Sequence, residues 1–359
     1  MRNSQGPLLR RASTVALALA TIWAPAASGA SAPPAETERI PPAQRYQALQ
    51  HGGFVRAANT SISCRTDSAA CPAVREGEAA VNGDFDMFYV DVDRDPNTYN
   101  SSRAEVRLPE GARATYARLY WGGNLRVGEQ KPPRDNGRVL IAEPGGDYKE
   151  VLADTVVGHR VADGADAFQA SADVTGLVRE SGSGLYTVAQ VNTAMGRSAA
   201  GAWGGWTLVV AYEKPQEPLR RLQLWDGFGA LNSRTGAEIR LRGLRTPAHA
   251  GGRAGVVAYN GDRGRTGDSL TLSTGRTNAT ALGDGANPRD DVLNSTISDP
   301  GAAPSERAPA YANTLGYDSD VFDLGKALRP GGDQLAFRLV SQRDAAWFGA
   351  LFVAVDAQQ

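Results

Sequence analysis

Trp347-Phe-Gly-Ala-Leu-Phe-Val-Ala-Val355 is an almost unbroken apolar run, and Trp206-Thr-Leu-Val-Val-Ala-Tyr212 is a second. Runs of this kind are strands buried on both faces, central in a sheet. Outward from them the chain alternates. Ala104, Val106 and Leu108 alternate with Arg103, Glu105 and Arg107, and Ala117, Leu119 and Trp121 alternate with Tyr116, Arg118 and Tyr120. Ile239 and Leu241 sit between Glu238, Arg240 and Arg242, while Leu335, Phe337 and Leu339 share one face. A period of two belongs to strands with one wet face. The 41 Gly and 20 Pro punctuate these segments as turns, and no stretch has the pattern of a long amphipathic helix. An all-β fold is expected.

The surroundings of the two apolar runs also match. Asp173-Val-Thr-Gly-Leu-Val-Arg179 precedes the first and Asp323-Leu-Gly-Lys-Ala-Leu-Arg329 the second. Each opens on an Asp able to cap one helical turn, and each ends in Arg and runs into Gly. Leu119-Tyr-Trp-Gly122 has a counterpart in Ala258-Tyr-Asn-Gly261. Three such pairs in the same order indicate an internal duplication. A chain of 359 residues also exceeds what one core serves. The expected plan is two tandem, jelly-roll-like β-sandwich domains, 81–218 and 219–357. Before them come a signal peptide over 1–32 and an extended N-terminal arm over 33–80.

The signal peptide is read from Arg2, Arg10 and Arg11, the apolar run Val15 to Ala27, and the small-residue exit Ala30-Ser31-Ala32. That run is too short and too Ala-rich to span a bilayer. The expected protein is secreted or loosely associated with the cell wall, with no membrane span. Cleavage removes three arginines and no acid, so the mature chain is mildly acidic, against a formal charge of −1 for the whole. A basic face for nucleic acid is therefore not expected. In an oxidising compartment Cys64 and Cys71 read as one disulfide closing a small loop, worth about 2–3 kcal/mol in the chain-entropy model.

Val90-Asp-Val-Asp-Arg-Asp-Pro-Asn-Thr-Tyr-Asn-Ser-Ser102, followed by Leu119-Tyr-Trp-Gly-Gly123, resembles the N-terminal module of large bacterial, often actinobacterial, extracellular repeat proteins. Gly204-Gly-Trp-Thr-Leu-Val-Val-Ala-Tyr-Glu213, Asp226-Gly-Phe228, Gly261-Asp-Arg-Gly264, Asn294-Ser-Thr-Ile-Ser298 and Asn313-Thr-Leu-Gly-Tyr-Asp318 extend the resemblance over about residues 82–355. It implies an adhesin-like or structural role and carries no active site to transfer. Unlike that family, this sequence stops at Gln359 without a repeat array or anchor, so free secretion or non-covalent wall contact is expected.

The candidate chemistry is sparse. Asp91, Asp93 and Asp95, with Asn97 and Asn100 beyond, offer hard oxygen ligands for calcium. A helix–loop–helix calcium loop is excluded, because Pro96 stands where Gly is needed and Ser102 where Glu is needed. Asp290, Asp291, Asn294 and Asp299 form a second acidic group, and Asp318, Asp320 and Asp323 a third. Both read first as turn chemistry, with Asp323 as a cap. Trp121 and Trp206 belong to a core, whereas Trp203, in a Gly-Ala loop, is the candidate exposed platform for a sugar ring. His51, His159 and His249 lie in irregular stretches, and neither a Gly-x-Ser-x-Gly elbow nor a His-Glu-x-x-His helix occurs, so no catalytic residue is assigned. The expected function is a non-catalytic binding or structural protein of the cell exterior, with a surface protein or a glycan as partner. The alternative is a secreted carbohydrate-binding module or carbohydrate-active enzyme.

Overall fold

The computed structural model describes residues 40–358 except 94, 163, 245, 248, 276–278 and 300–305, so the signal peptide lies outside the described residues. The first half of the chain supplies β1 (Ile40–Thr60), β2 (Ile62–Cys64), β3 (Met87–Tyr89), β4 (Ser101–Val106), β5 (Arg113–Asn124) and β6 (Arg138–Ala142). It continues with β7 (Lys149–Leu152), β8 (Thr155–Ala162), β9 (Ala165–Asp173), β10 (Gly184–Ala189) and β11 (Gly204–Glu213). The second half supplies β12 (Leu219–Ala230), β13 (Ala237–Arg242), β14 (Gly252–Tyr259), β15 (Ser269–Thr274) and β16 (Thr280–Ala281). After them come β17 (Arg307–Ala308), β18 (Tyr317–Asp323), β19 (Gln334–Val340) and β20 (Trp347–Asp356). Two short helices, α1 (Cys71–Arg75) and α2 (Thr175–Ser181), complete the described elements apart from single 3-10 turns.

Strand order shows the repeat that the sequence pattern suggested. The first half pairs β1-β11-β5-β9 in one sheet and β4-β10-β6-β7 in the other. The second half pairs β12-β20-β14-β18 and β13-β19-β15-β16. Leaving out the accessory strands, each half reads first-eighth-third-sixth over second-seventh-fourth-fifth, an eight-stranded jelly roll. The two apolar runs are the eighth strands, each paired on both sides. The Asp-headed turns also match. Asp173 Oδ1 accepts the Thr175 amide at 2.9 Å, and Asp323 Oδ1 accepts the Gly325 amide at 2.7 Å.

Alternation along the large sheets assigns one face to each sandwich and the other to the space between them. Ala117, Leu119 and Trp121 join Trp206, Leu208 and Val210 in the first core. Ala254, Val256 and Ala258 join Leu351, Val353 and Val355 in the second. The intervening residues Tyr120, Val209, Val257, Tyr259, Ala350 and Phe352 form a third core, in which the large sheets pack face to face. Its aromatic centre includes Phe228 stacked on Trp347 at 5.2 Å and Trp203 at 5.7 Å from Tyr259. Such pairs add about 0.5–1.5 kcal/mol each beyond area burial.

The extended arm expected over residues 33–80 is corrected for its described part. Ile40–Thr60 is a strand with partners on both sides, not a loose arm. Its first part, to His51, pairs with β12, and Gly52–Thr60 pairs with β11, so one strand belongs to both jelly rolls. The small residues Ala57 and Ala58 are fully buried on opposite faces. The Cys64–Cys71 disulfide follows, with a Cα–Cα distance of 5.8 Å, in a separate small core with Ile62, Val74, Phe85, Met87 and Leu315.

The crossover falls on Gly52, where φ is +140° and a Cβ would lie 2.0 Å from the Tyr212 carbonyl oxygen. Gly52→Ala therefore combines backbone strain with a clash that backbone alone can relieve, and should cost about 1–3 kcal/mol. A urea midpoint unchanged by the substitution would refute the tight crossing at this residue.

Candidate ligand cleft between the two jelly rolls

Where the large sheets face each other, their gap is filled at one end by Trp203, Tyr259, Tyr317 and Trp347. Toward the opposite ends of β14, β18 and β20 it opens into a cleft of about 800 Å³. Alternation on β1 turns Phe54 and Arg56 toward this gap, on the face that also carries Ala58. The far wall comes from Gly252 and Arg253 on β14, Val321 and Asp323 on β18, and Phe352 and Ala354 on β20. Glu105 and Arg107 close one side, and Ser298, Asp299, Arg307 and Ala310 another.

Charge dominates the lining. Arg107 pairs with Glu105, Arg220 with Glu217 at 2.8 Å and Asp356 at 3.0 Å, and Arg253 with Asp299 at 2.8 Å. The Arg107 hydrogen bond holds the Glu105 carboxyl below the usual range. Arg56 is 7% exposed. Its Nη2 donates to the Ser298 carbonyl at 2.6 Å, while its Nε is buried without a partner. Arg307 Nη2 donates to the Tyr311 carbonyl at 3.1 Å, and its Nη1 is likewise buried and unpartnered. Burial, then repulsion from Arg56, pushes Arg307 down to about 10, and burial lowers Arg56. An uncompensated buried cation costs on the order of several kcal/mol.

The residues singled out by sequence fare differently. Trp203 is fully buried against Tyr259 and Trp347, which corrects the exposed sugar platform. Its small neighbours signal close packing: at Gly316 a Cβ would lie 2.7 Å from the Trp203 Cβ. Asp91, Asp93 and Asp95 stay near one another, but their oxygens accept protein hydrogen bonds. Asp91 takes Ser101 Oγ at 2.9 Å, Asp93 the Asp95 amide at 3.0 Å and the Tyr148 hydroxyl, and Asp95 the Asn97 amide at 2.9 Å. Among the described residues no group of three or more His, Cys, Asp or Glu is placed to hold a metal ion. The disulfide joins Cys64 to Cys71 as expected. Sequence reading missed Arg56 and Arg307. The alternation of Phe54, Arg56 and Ala58 against Val55 and Ala57 was the available signal for the first, and Arg307 carries none.

No family model matches the chain, and no curated protein matches it. Among solved structures it is similar to N-glycanase F (PNGase F), with 12% identity and a TM-score of 0.22, over 86% of this chain and 96% of that one. A chain of the Sulfolobus turreted icosahedral virus gives 10% identity and a TM-score of 0.21, over 71% and 86%. Neither likeness bears on activity.

A second charged feature lies in the loops of the second jelly roll. Asp268 is fully buried with neither carboxylate oxygen partnered, and Asp262 and Asp344 are nearly so buried. Asp262 Oδ1 accepts the Asn82 amide at 3.0 Å, and Asp344 Oδ2 accepts the Asp262 amide at 3.1 Å. Burial raises Asp262 to about 6, Asp344 to about 7 and Asp268 to about 8, with repulsion from neighbouring carboxylates, Asp291 among them, adding to each. A carboxyl raised on folding stabilises fully below the unfolded carboxylate range and loses that contribution as pH climbs through its folded value. The melting temperature should therefore fall between pH 5.5 and 8.5, and Asp268→Asn should flatten the slope. Thermal melts across that range provide the check. A rising melting temperature, or a slope abolished by millimolar calcium, would mean that these carboxylates sit ionised around a cation.

Proposed function

We propose that the protein works outside the cytoplasm as a non-catalytic, adhesin-like binding protein that receives its ligand in the cleft between the two jelly rolls. The construction of the cleft carries this reading, since both repeats contribute walls and the lining combines polar groups with Phe54 and Phe352. The leader-like start and the disulfide support export. The partner is a glycan or a protein of an extracellular surface.

The rival reading, a secreted carbohydrate-active enzyme, needs a carboxyl kept protonated beside a second free carboxylate. Glu105, Glu217 and Asp299 in the cleft are each held by an arginine, and Glu105 is lowered rather than raised. That arrangement suits binding better than proton transfer.

Two measurements test the proposal. Fractionated cultures should yield a mature chain beginning near Pro33 in the medium or loosely on the wall; a cytoplasmic pool retaining Met1 would end the export reading. Ala310 is exposed on the rim of the cleft, so Ala310→Trp narrows the cleft at little cost in stability. On an array of bacterial and plant glycans it should weaken the wild-type signals about tenfold or more. Signals that survive in a correctly folded Ala310→Trp protein would place binding elsewhere.

A further inference from the structure

We propose that Arg56 and Arg307 form an oxyanion subsite within the cleft, which takes the carboxylate, sulfate or phosphate group of an acidic ligand. The inference rests on the cleft being the ligand site and names the chemistry recognised there. Five arginines line the cleft, and three of them have a carboxylate within ion-pair distance. Among the described residues Arg56 and Arg307 have none; each has one guanidinium nitrogen bound to a backbone carbonyl and another buried without a partner. They lie close enough for the Arg56 charge to act on Arg307.

The carboxylate nearest in effect is Asp320, and it does not neutralise the pair. Its Oδ1 already accepts from the Ser298 amide at 2.9 Å, from Ser298 Oγ at 2.7 Å and from Thr296 Oγ1 at 2.9 Å. Burial also raises the Asp320 carboxyl, which weakens it as a counter-charge. Two guanidinium groups without a carboxylate partner among the described residues are therefore left lining one cavity. A guanidinium presents its donors in a plane that matches an oxyanion edge, and pairing there is strongest where water is excluded. The carbonyl contacts at Ser298 and Tyr311 fix both forks before any ligand arrives. The cavity is far larger than a bare ion, so the anion is a group on a larger molecule.

The test uses the mature full-length chain at constant ionic strength, with sodium chloride as the balancing salt. Sulfate, phosphate and D-glucuronate are titrated by calorimetry and by thermal shift, with D-glucose as the neutral partner of glucuronate. Saturable binding and a rise in melting temperature are expected for the oxyanions and not for chloride or glucose. Arg307→Gln should weaken that binding by about tenfold or more, Arg307→Lys by less, and Arg240→Gln, an exposed arginine outside the cleft, should leave it unchanged. Arg56→Gln should behave as Arg307→Gln; if it fails to fold, the Arg307 series decides. Glucuronate binding more tightly than sulfate or phosphate would identify a sugar acid as the source of the anion, and the reverse order an inorganic or ester oxyanion. Equal binding by wild type and Arg307→Gln, or no saturable effect of any oxyanion, overturns the subsite. The Ala310→Trp glycan experiment stands apart from this one: a cleft that binds neutral glycans but no oxyanion defeats only the subsite.

Discussion

Hydrogen bonding of one strand to two sheets is the constraint on which the rest of this structure depends. β1 runs from Ile40 to Thr60 and bridges β12 and β11 in turn, turning from one to the other at Gly52. Without it the two jelly rolls would be separate sandwiches, each with a bare edge. With it, eight strands of the two rolls and the accessory β8 join into one nine-stranded sheet that doubles back on itself. The doubling brings the outer faces of the large sheets together and explains why β11 and β20 are buried at every position but the last.

The same geometry makes the cleft. Sheets that share a strand cannot separate freely, but their twist prevents contact along their whole length. Large rings fill the gap at one end, where Phe228, Tyr259 and Trp347 interlock. At the other end the residues facing across are Arg56, Val321, Asp323 and Phe352, and a cavity persists. The position of the candidate site thus follows from the fold.

Much of the architecture was legible in the sequence because alternation and apolar runs report burial directly. Trp206–Tyr212 and Trp347–Val355 proved to be central strands, and the turns headed by Asp173 and Asp323 proved to be structural counterparts. β1 was not legible, because Gly52-Gly53 interrupts its alternation at the point where it changes sheets, and because the small pair Ala57-Ala58 gives no hydrophobic signal although both are fully buried. Trp203 misled for a related reason: glycines and alanines that look like an exposed loop are what let a large indole be enclosed. The candidate site was hidden because it is a property of assembly. Arg56 and Arg307 are far apart in the chain, and what distinguishes them from the other cleft arginines is that, among the described residues, no carboxylate lies within ion-pair distance.

The sharing goes further than β1. β17, from a connection in the second repeat, pairs with β4 of the first, so the repeats are clasped at a second place. Two halves joined in this way are not modular in the manner of beads on a string. Recombination that lifted out either copy alone would expose raw sheet edges open to edge-to-edge aggregation. The two halves therefore fold and fail together, as one cooperative unit.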